Sequence, residues 1–147
     1  MASIGRHLEI MQAVRLVKKR LAAVTAAVQD EVVGTMVTQA SLIAAEIKSI
    51  APVDAESETP GALKDSVRVI EGKRTAKKAF SVQIAVGNLN TKDGKAGFNY
   101  PRGVEFGTQK TPAHPFFWPI WRLRRKGARV AIRKSAVKAV KRVFGDK

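Results

Sequence analysis

The sequence predicts an α+β fold with N-terminal helices, a small antiparallel sheet of about three to four strands and a long C-terminal helix. Three observations predict it. Apolar residues in the first third of the chain recur at helical spacing, those in the middle alternate, and those at the end return to helical spacing. With 147 residues, 45% of them hydrophobic, the chain is long enough for a single core and reads as one domain. Its parts are a helical segment at 1–51, loop and sheet at 52–108, and an aromatic turn with a basic helix at 109–147.

The first segment places apolar residues at Ile10, Val14, Val17, Leu21, Val24, Val28, Val32, Met36, Ala40, Ile43, Ile47 and Ile50, which is 11 steps in 40 residues. That spacing matches the ~3.6 residues of an α-helical turn. Ala51-Pro52 ends the run. One unbroken helix would be about 60 Å long at ~1.5 Å per residue, against a radius of gyration of ~15 Å for a compact domain of this size. Either the helix breaks or it projects and needs a partner. The sequence favours a break near Gln29-Asp30 or Gly34, with a shorter leading helix feeding a longer one.

Pro52 to Gly61 reads as an acidic, turn-rich loop. Ser66 to Ile70 and Phe80 to Val86 alternate and predict an antiparallel hairpin around a basic turn at Gly72 to Lys78. Gly87 to Asn99 is polar and glycine-rich and reads as a mobile loop, of which Asn88 to Asn99 is expected to order on assembly. Tyr100 to Phe106 predicts a third strand, placed at an edge or bulge by Pro101. The last helix is expected to begin near Pro115 to Pro119 and to stop at Gly145. Trp121, Ala128, Ile132, Ala136, Val140 and Val143 share one side of it, and Val130, Val137 and Phe144 form a second line. Two lines fit one wide buried face, or one face packed on the sheet and another on a neighbouring subunit.

The net charge is +15, and Arg122 to Lys147 carry 11 Lys and Arg against one acid, Asp146. Such a balance attracts nucleic acid, an anionic membrane surface or an acidic protein. The absence of cysteine leaves no disulfide or thiolate metal site and fits a reducing compartment. The N-terminus has no continuous apolar stretch of a secretory signal, and no run approaches the ~18 apolar residues that read as a membrane span.

Catalytic readings find little support. His7 and His114 are the only histidines, too few for a standard zinc site without several carboxylates. His114, between Ala113 and Pro115, reads as a packed or hydrogen-bonding residue rather than a general base. Asp54, Glu56 and Glu58 lack the glycine and the terminal acid of a calcium loop. Neither a phosphate-binding loop nor a nucleophile elbow occurs, and no cofactor is expected. Arg122, Arg124, Arg125, Lys126, Arg129 and Arg133 offer phosphate or acidic-partner contacts, yet the cations of this helix are spread around it and no DNA-reading motif accompanies them.

The densest signal is Tyr100-Pro-Arg-Gly-Val-Glu-Phe-Gly-Thr108 followed by Pro112-Ala-His-Pro-Phe-Phe-Trp-Pro-Ile-Trp121. Large apolar side chains crowded this tightly must bury within the subunit or across an interface. Phe116, Phe117, Trp118 and Trp121 are the candidate anchors, with core packing expected for at least two of them. Gly107 is expected to take a backbone angle that a side chain would forbid, and Thr108 to bond the turn it opens. Glu105 reads either as an exposed acid or as the partner of a basic helix residue.

Together with Ala51-Pro-Val-Asp54 and Thr59-Pro-Gly-Ala-Leu-Lys-Asp-Ser-Val67, which contribute Gly61, Leu63 and Ser66, these motifs carry a resemblance. Over about residues 15 to 145 the chain resembles the neck or tail-component family of long-tailed bacteriophages, which act at the head–tail junction. Two departures stand out: Ala55 to Pro60 is inserted between Asp54 and Gly61, and Pro119-Ile120 replaces the family's proline-alanine helix start. The resemblance implies a non-enzymatic virion protein, assembled in the bacterial host cytoplasm into a homo-oligomeric ring. It implies neighbours among other connector and tail proteins, with nonspecific contact to genomic DNA in the channel and none to membrane. Tyr100, Glu105, Phe106, Gly107, Thr108, His114, Pro115 and Pro119 then join the aromatic residues as motif or interface positions. The alternatives are a tail terminator or other minor tail component, and a small basic protein binding nucleic acid nonspecifically.

Overall fold

A computed structural model of the chain describes residues 2–53, 60–72, 80–87, 92–93 and 98–145. In order, the elements are helix α1 (Ala2–Ile50), helix α2 (Ala62–Asp65), strands β1 (Arg68–Gly72), β2 (Ser81–Ala85), β3 (Lys92–Asp93) and β4 (Phe98–Asn99), helix α3 (Tyr100–Phe106) and helix α4 (Trp118–Phe144). The class is α+β. Helix is the larger share, and β1 pairs antiparallel with β2 from Arg68↔Ala85 to Gly72↔Ser81. The hairpin was legible in the alternation. Its turn, the acidic residues at 54–59 and most of the polar loop after Gly87 lie outside the described residues, apart from the two-residue β3–β4 pair.

Three expectations need correction. The sheet of three to four strands is replaced, among the described residues, by the β1–β2 hairpin and the separate β3–β4 pair. Tyr100–Phe106 is a helix, not a third strand. Pro101 stands in its first turn, where a missing N–H breaks no bond. Its inward positions are Pro101, Val104 and Glu105, spaced by three and four rather than by two. Finally, α1 runs through Gln29-Asp30 and Gly34 without a break. A single glycine costs only about 1 kcal/mol against alanine in a helix. Its neighbours Val32, Val33 and Thr35 are half-buried, and the Thr35 hydroxyl donates back to the Glu31 carbonyl at 2.8 Å.

The chain divides into two compact units, one formed by residues 1–35 with 131–147 and the other by residues 36–130. In the first, Ser135 and Ala139 are the buried residues of α4, one turn apart. Glu31 of α1 accepts a hydrogen bond from Arg142 at 3.3 Å and lies 4.0 Å from Lys138. Gly145 stops α4 at φ 76°, a left-handed cap open to glycine.

The second unit holds the hydrophobic core. Ile43, Ala44 and Ile47 of α1 meet Ala51, Leu63, Val67 and Phe116, with Val69, Ile84, Tyr100, Val104, Phe117, Ile120 and Trp121 packed around them. The Leu63 side chain reaches this core from α2, a single turn that opens at Gly61 with φ 80°. Ser66 is buried just after that turn. Its hydroxyl donates to the Leu63 carbonyl at 2.7 Å and accepts the Gly87 N–H at 3.0 Å, tying α2 to the end of the hairpin.

Candidate interface at the aromatic turn

The segment between α3 and α4 is held by backbone bonds that the sequence does not advertise. The Glu105 side chain leaves α3 and is only 6% exposed. One carboxylate oxygen accepts the N–H groups of Phe116 and Phe117, each at 2.9 Å, and the other accepts the N–H of Trp118 at 3.1 Å. These are donors at the N-terminus of α4, where the first turn has no carbonyl to receive them. A carboxylate there also faces the positive end of the helix dipole. Pro119 removes a further donor from the same turn. Glu105 is therefore not an exposed acid, and among the described residues it pairs with no basic side chain; it is a clamp between two helices.

The connecting turn is closed as tightly. Gly107 sits at φ 76°, and a Cβ there would lie 2.9 Å from the Ala113 nitrogen and 3.1 Å from the Thr111 carbonyl oxygen. Both neighbours are backbone, so neither can move aside cheaply. Thr108 donates its N–H to the Thr111 carbonyl at 2.9 Å, while its hydroxyl accepts from Lys110 and Thr111 at 3.2 and 3.1 Å. The His114 N–H donates to the Val104 carbonyl at 2.8 Å. The expected roles of Gly107 and Thr108 are thus local and structural.

The aromatic residues separate into two kinds. Phe116 is 2% exposed and central to the core, and Phe117 and Trp121 pack against it. Trp118 is 42% exposed, its ring edge-to-face with Phe117 at 5.5 Å. Phe106 is 62% and Leu123 68% exposed. Tyr100 is half-buried, and His114, Pro115 and Pro119 are exposed. Three positions named from sequence, Phe116, Phe117 and Trp121, therefore belong to the subunit's interior, while Leu123 is an exposed apolar position that motif reading passed over. Its signal was its isolation among Arg122, Arg124 and Arg125.

The cations of α4 also separate. Arg124 donates through Nε to Glu46 of α1 at 2.7 Å. Arg122, Arg125, Lys126 and Arg129 stand at positions i, i+3, i+4 and i+7, so they share one side of the helix, and all are exposed. None of these four forms an ion pair among the described residues. The even spread expected from sequence is thus partly a gathering. Arg133 belongs to the other unit, where it lines a shallow groove of about 630 Å³ with Lys134, Val137, Lys138 and Lys141.

Among the described residues no three acidic or histidine side chains converge on a metal-sized space. No helix among them is long and apolar enough to cross a membrane. No family model, curated protein or solved structure matches the chain.

Proposed function

We infer that this chain is a structural virion protein of a tailed bacteriophage, acting at the head–tail junction through ring contacts between its copies and contacts with other connector and tail proteins. On this reading it performs no catalysis. The observation that carries it is the aromatic turn: a segment fixed by the Glu105 clamp and the Gly107 turn that leaves Phe106, Trp118 and Leu123 in water. A rigid backbone presenting exposed aromatic and aliphatic side chains is how stable interfaces present their central residues. The ordered motifs from Ala51 to Trp121 supply the phage context. A ring needs two different patches on each subunit. The turn supplies one, and the line of Val130, Val137 and Phe144 on α4 is the candidate for the other.

The test is assembly. Purified protein, alone and with connector and tail proteins of the same phage, is to be sized by light scattering and imaged by negative stain. Rings or connector complexes are expected for the parent and not for the Trp118→Ala/Leu123→Ala variant, with unchanged helicity in both. A chain that stays monomeric with every virion partner, or particles that form normally without it, would overturn the proposal.

The side of α4 bearing Arg122, Arg125, Lys126 and Arg129 favours a second reading, nonspecific binding of a nucleic-acid backbone. Four phosphate contacts would give an affinity falling with salt at a log–log slope of about −3.6 on duplex DNA. Ring contacts made by apolar side chains would change little over the same salt range.

A further inference from the structure

One stripe of α1 changes its surroundings along the helix. Val14, Val17, Leu21, Val24 and Val28 follow at steps of three and four and so share a side. Val24 and Val28 are half-buried, in the unit where Glu31 ties α4 to α1. Val14, Val17 and Leu21 are 42%, 55% and 57% exposed, and every residue from Met11 to Leu21 is exposed. At ~100° per residue, Lys18 borders this stripe on one side and Arg20 on the other. Arg15 and Lys19 lie farther round, and no acid occurs between Met11 and Gln29. The result is an uncovered apolar seam with cationic edges.

We propose that residues 11–21 of α1 dock an acidic amphipathic helix of a partner protein. Its apolar residues seat on Val14, Val17 and Leu21, and its flanking carboxylates pair with Lys18 and Arg20. Charge selects this occupant. A second copy of the same segment would set cations against cations, the arrangement by which coiled coils refuse a pairing. Nucleic acid would meet the cations and leave three apolar side chains in water. Helices that lie on anionic membranes carry aromatic and leucine-rich faces, whereas this seam is four valines and one leucine with no aromatic ring. Its continuity with the half-buried Val24 and Val28 gives it the spacing of a helix–helix contact. The inference does not depend on the virion reading, since it concerns a different part of the chain and a different kind of contact.

The probe is a fluorescent three-heptad peptide with leucine at its seam positions and glutamate at the flanking positions, and its control carries lysine in place of glutamate. Anisotropy titrations use the full chain. The acidic peptide is expected to bind the parent, and the lysine peptide not to. Val17→Ser/Leu21→Ser should weaken binding about tenfold or more, with helicity unchanged because both positions are exposed. Lys18→Glu/Arg20→Glu should lose the acidic peptide and gain the lysine one. Equal binding by the parent and Val17→Ser/Leu21→Ser would mean diffuse attraction to net charge and would overturn the proposal, as would no binding at all. Anionic vesicles, a short DNA duplex and sedimentation of the protein alone are run beside it. If Val17→Ser/Leu21→Ser abolishes one of those interactions while leaving the acidic peptide unaffected, the seam belongs to lipid, DNA or a second copy instead.

Discussion

The stretch from Tyr100 to Trp121 and the stretch from Met11 to Leu21 are both rich in apolar and basic residues, yet they are secured by opposite means. In the first, a buried carboxylate holds three N–H groups, a glycine closes a turn against two backbone atoms, and Phe116 fills the core. In the second, every side chain is exposed, and the bonds that hold the chain are those of the helix itself, with the Thr25 hydroxyl donating to the Leu21 carbonyl at 2.9 Å. Isolated helices of such length are marginal in water. The difference teaches that apolar periodicity reports which side of an element seeks cover, while polar groups report whether cover has been found. Of these two stretches, the aromatic turn is the one in which a buried side-chain carboxylate answers main-chain donors.

Substitutions can break the comparison, beginning where the largest effect is expected. Phe116→Ala should cost about 3–5 kcal/mol in urea unfolding, as expected for an aromatic side chain removed from a packed core. Glu105→Ala leaves three buried-end donors without a partner and should cost about 2–4 kcal/mol. Glu105→Gln should recover part of that loss, because one amide oxygen still accepts. A loss under about 0.5 kcal/mol for the alanine variant would mean that water replaces the carboxylate and the clamp is ornamental. Gly107→Ala combines a disfavoured positive φ with backbone contacts near 3 Å and should cost about 2 kcal/mol.

Smaller effects sharpen the contrast. Leu21→Ser should leave unfolding within about 0.5 kcal/mol of the parent, since its side chain is already in water. Arg124→Ala should cost no more than about 1 kcal/mol, the range of a surface ion pair that is half exposed on the arginine side. Hydrogen exchange then compares the two stretches directly: the amides of Phe116, Phe117 and Trp118 should be protected, and those of residues 11–21 should exchange many-fold faster. Equal protection would mean that something already covers the α1 seam.

Much of this arrangement was legible in the sequence. The long apolar series gave α1 and its end at Ala51-Pro52, the alternation gave the hairpin, and Pro115 to Gly145 bracketed α4. Gly107 and Thr108 carried their turn chemistry on their faces. The continuity of α1 was missed because compactness was weighted above local propensity, and one glycine is a weak breaker. Helix α3 was missed because seven residues cannot distinguish periods of two and 3.6 once a proline is among them. The role of Glu105 was missed for a deeper reason. Its partners are main-chain atoms 11 to 13 residues away, and backbone N–H groups leave no signature in a list of side chains.

That choice of partner has a consequence for how the segment can change over generations. A carboxylate that grips main-chain hydrogen is indifferent to what the gripped residues carry, so long as none of them is proline. Prolines stand on both sides, at 115 and 119, and none at the three donors. Phe116 is constrained separately by the interior it fills, whereas the indole at position 118 can be exchanged without loosening the scaffold beneath, so what the turn docks against can change while the turn itself does not.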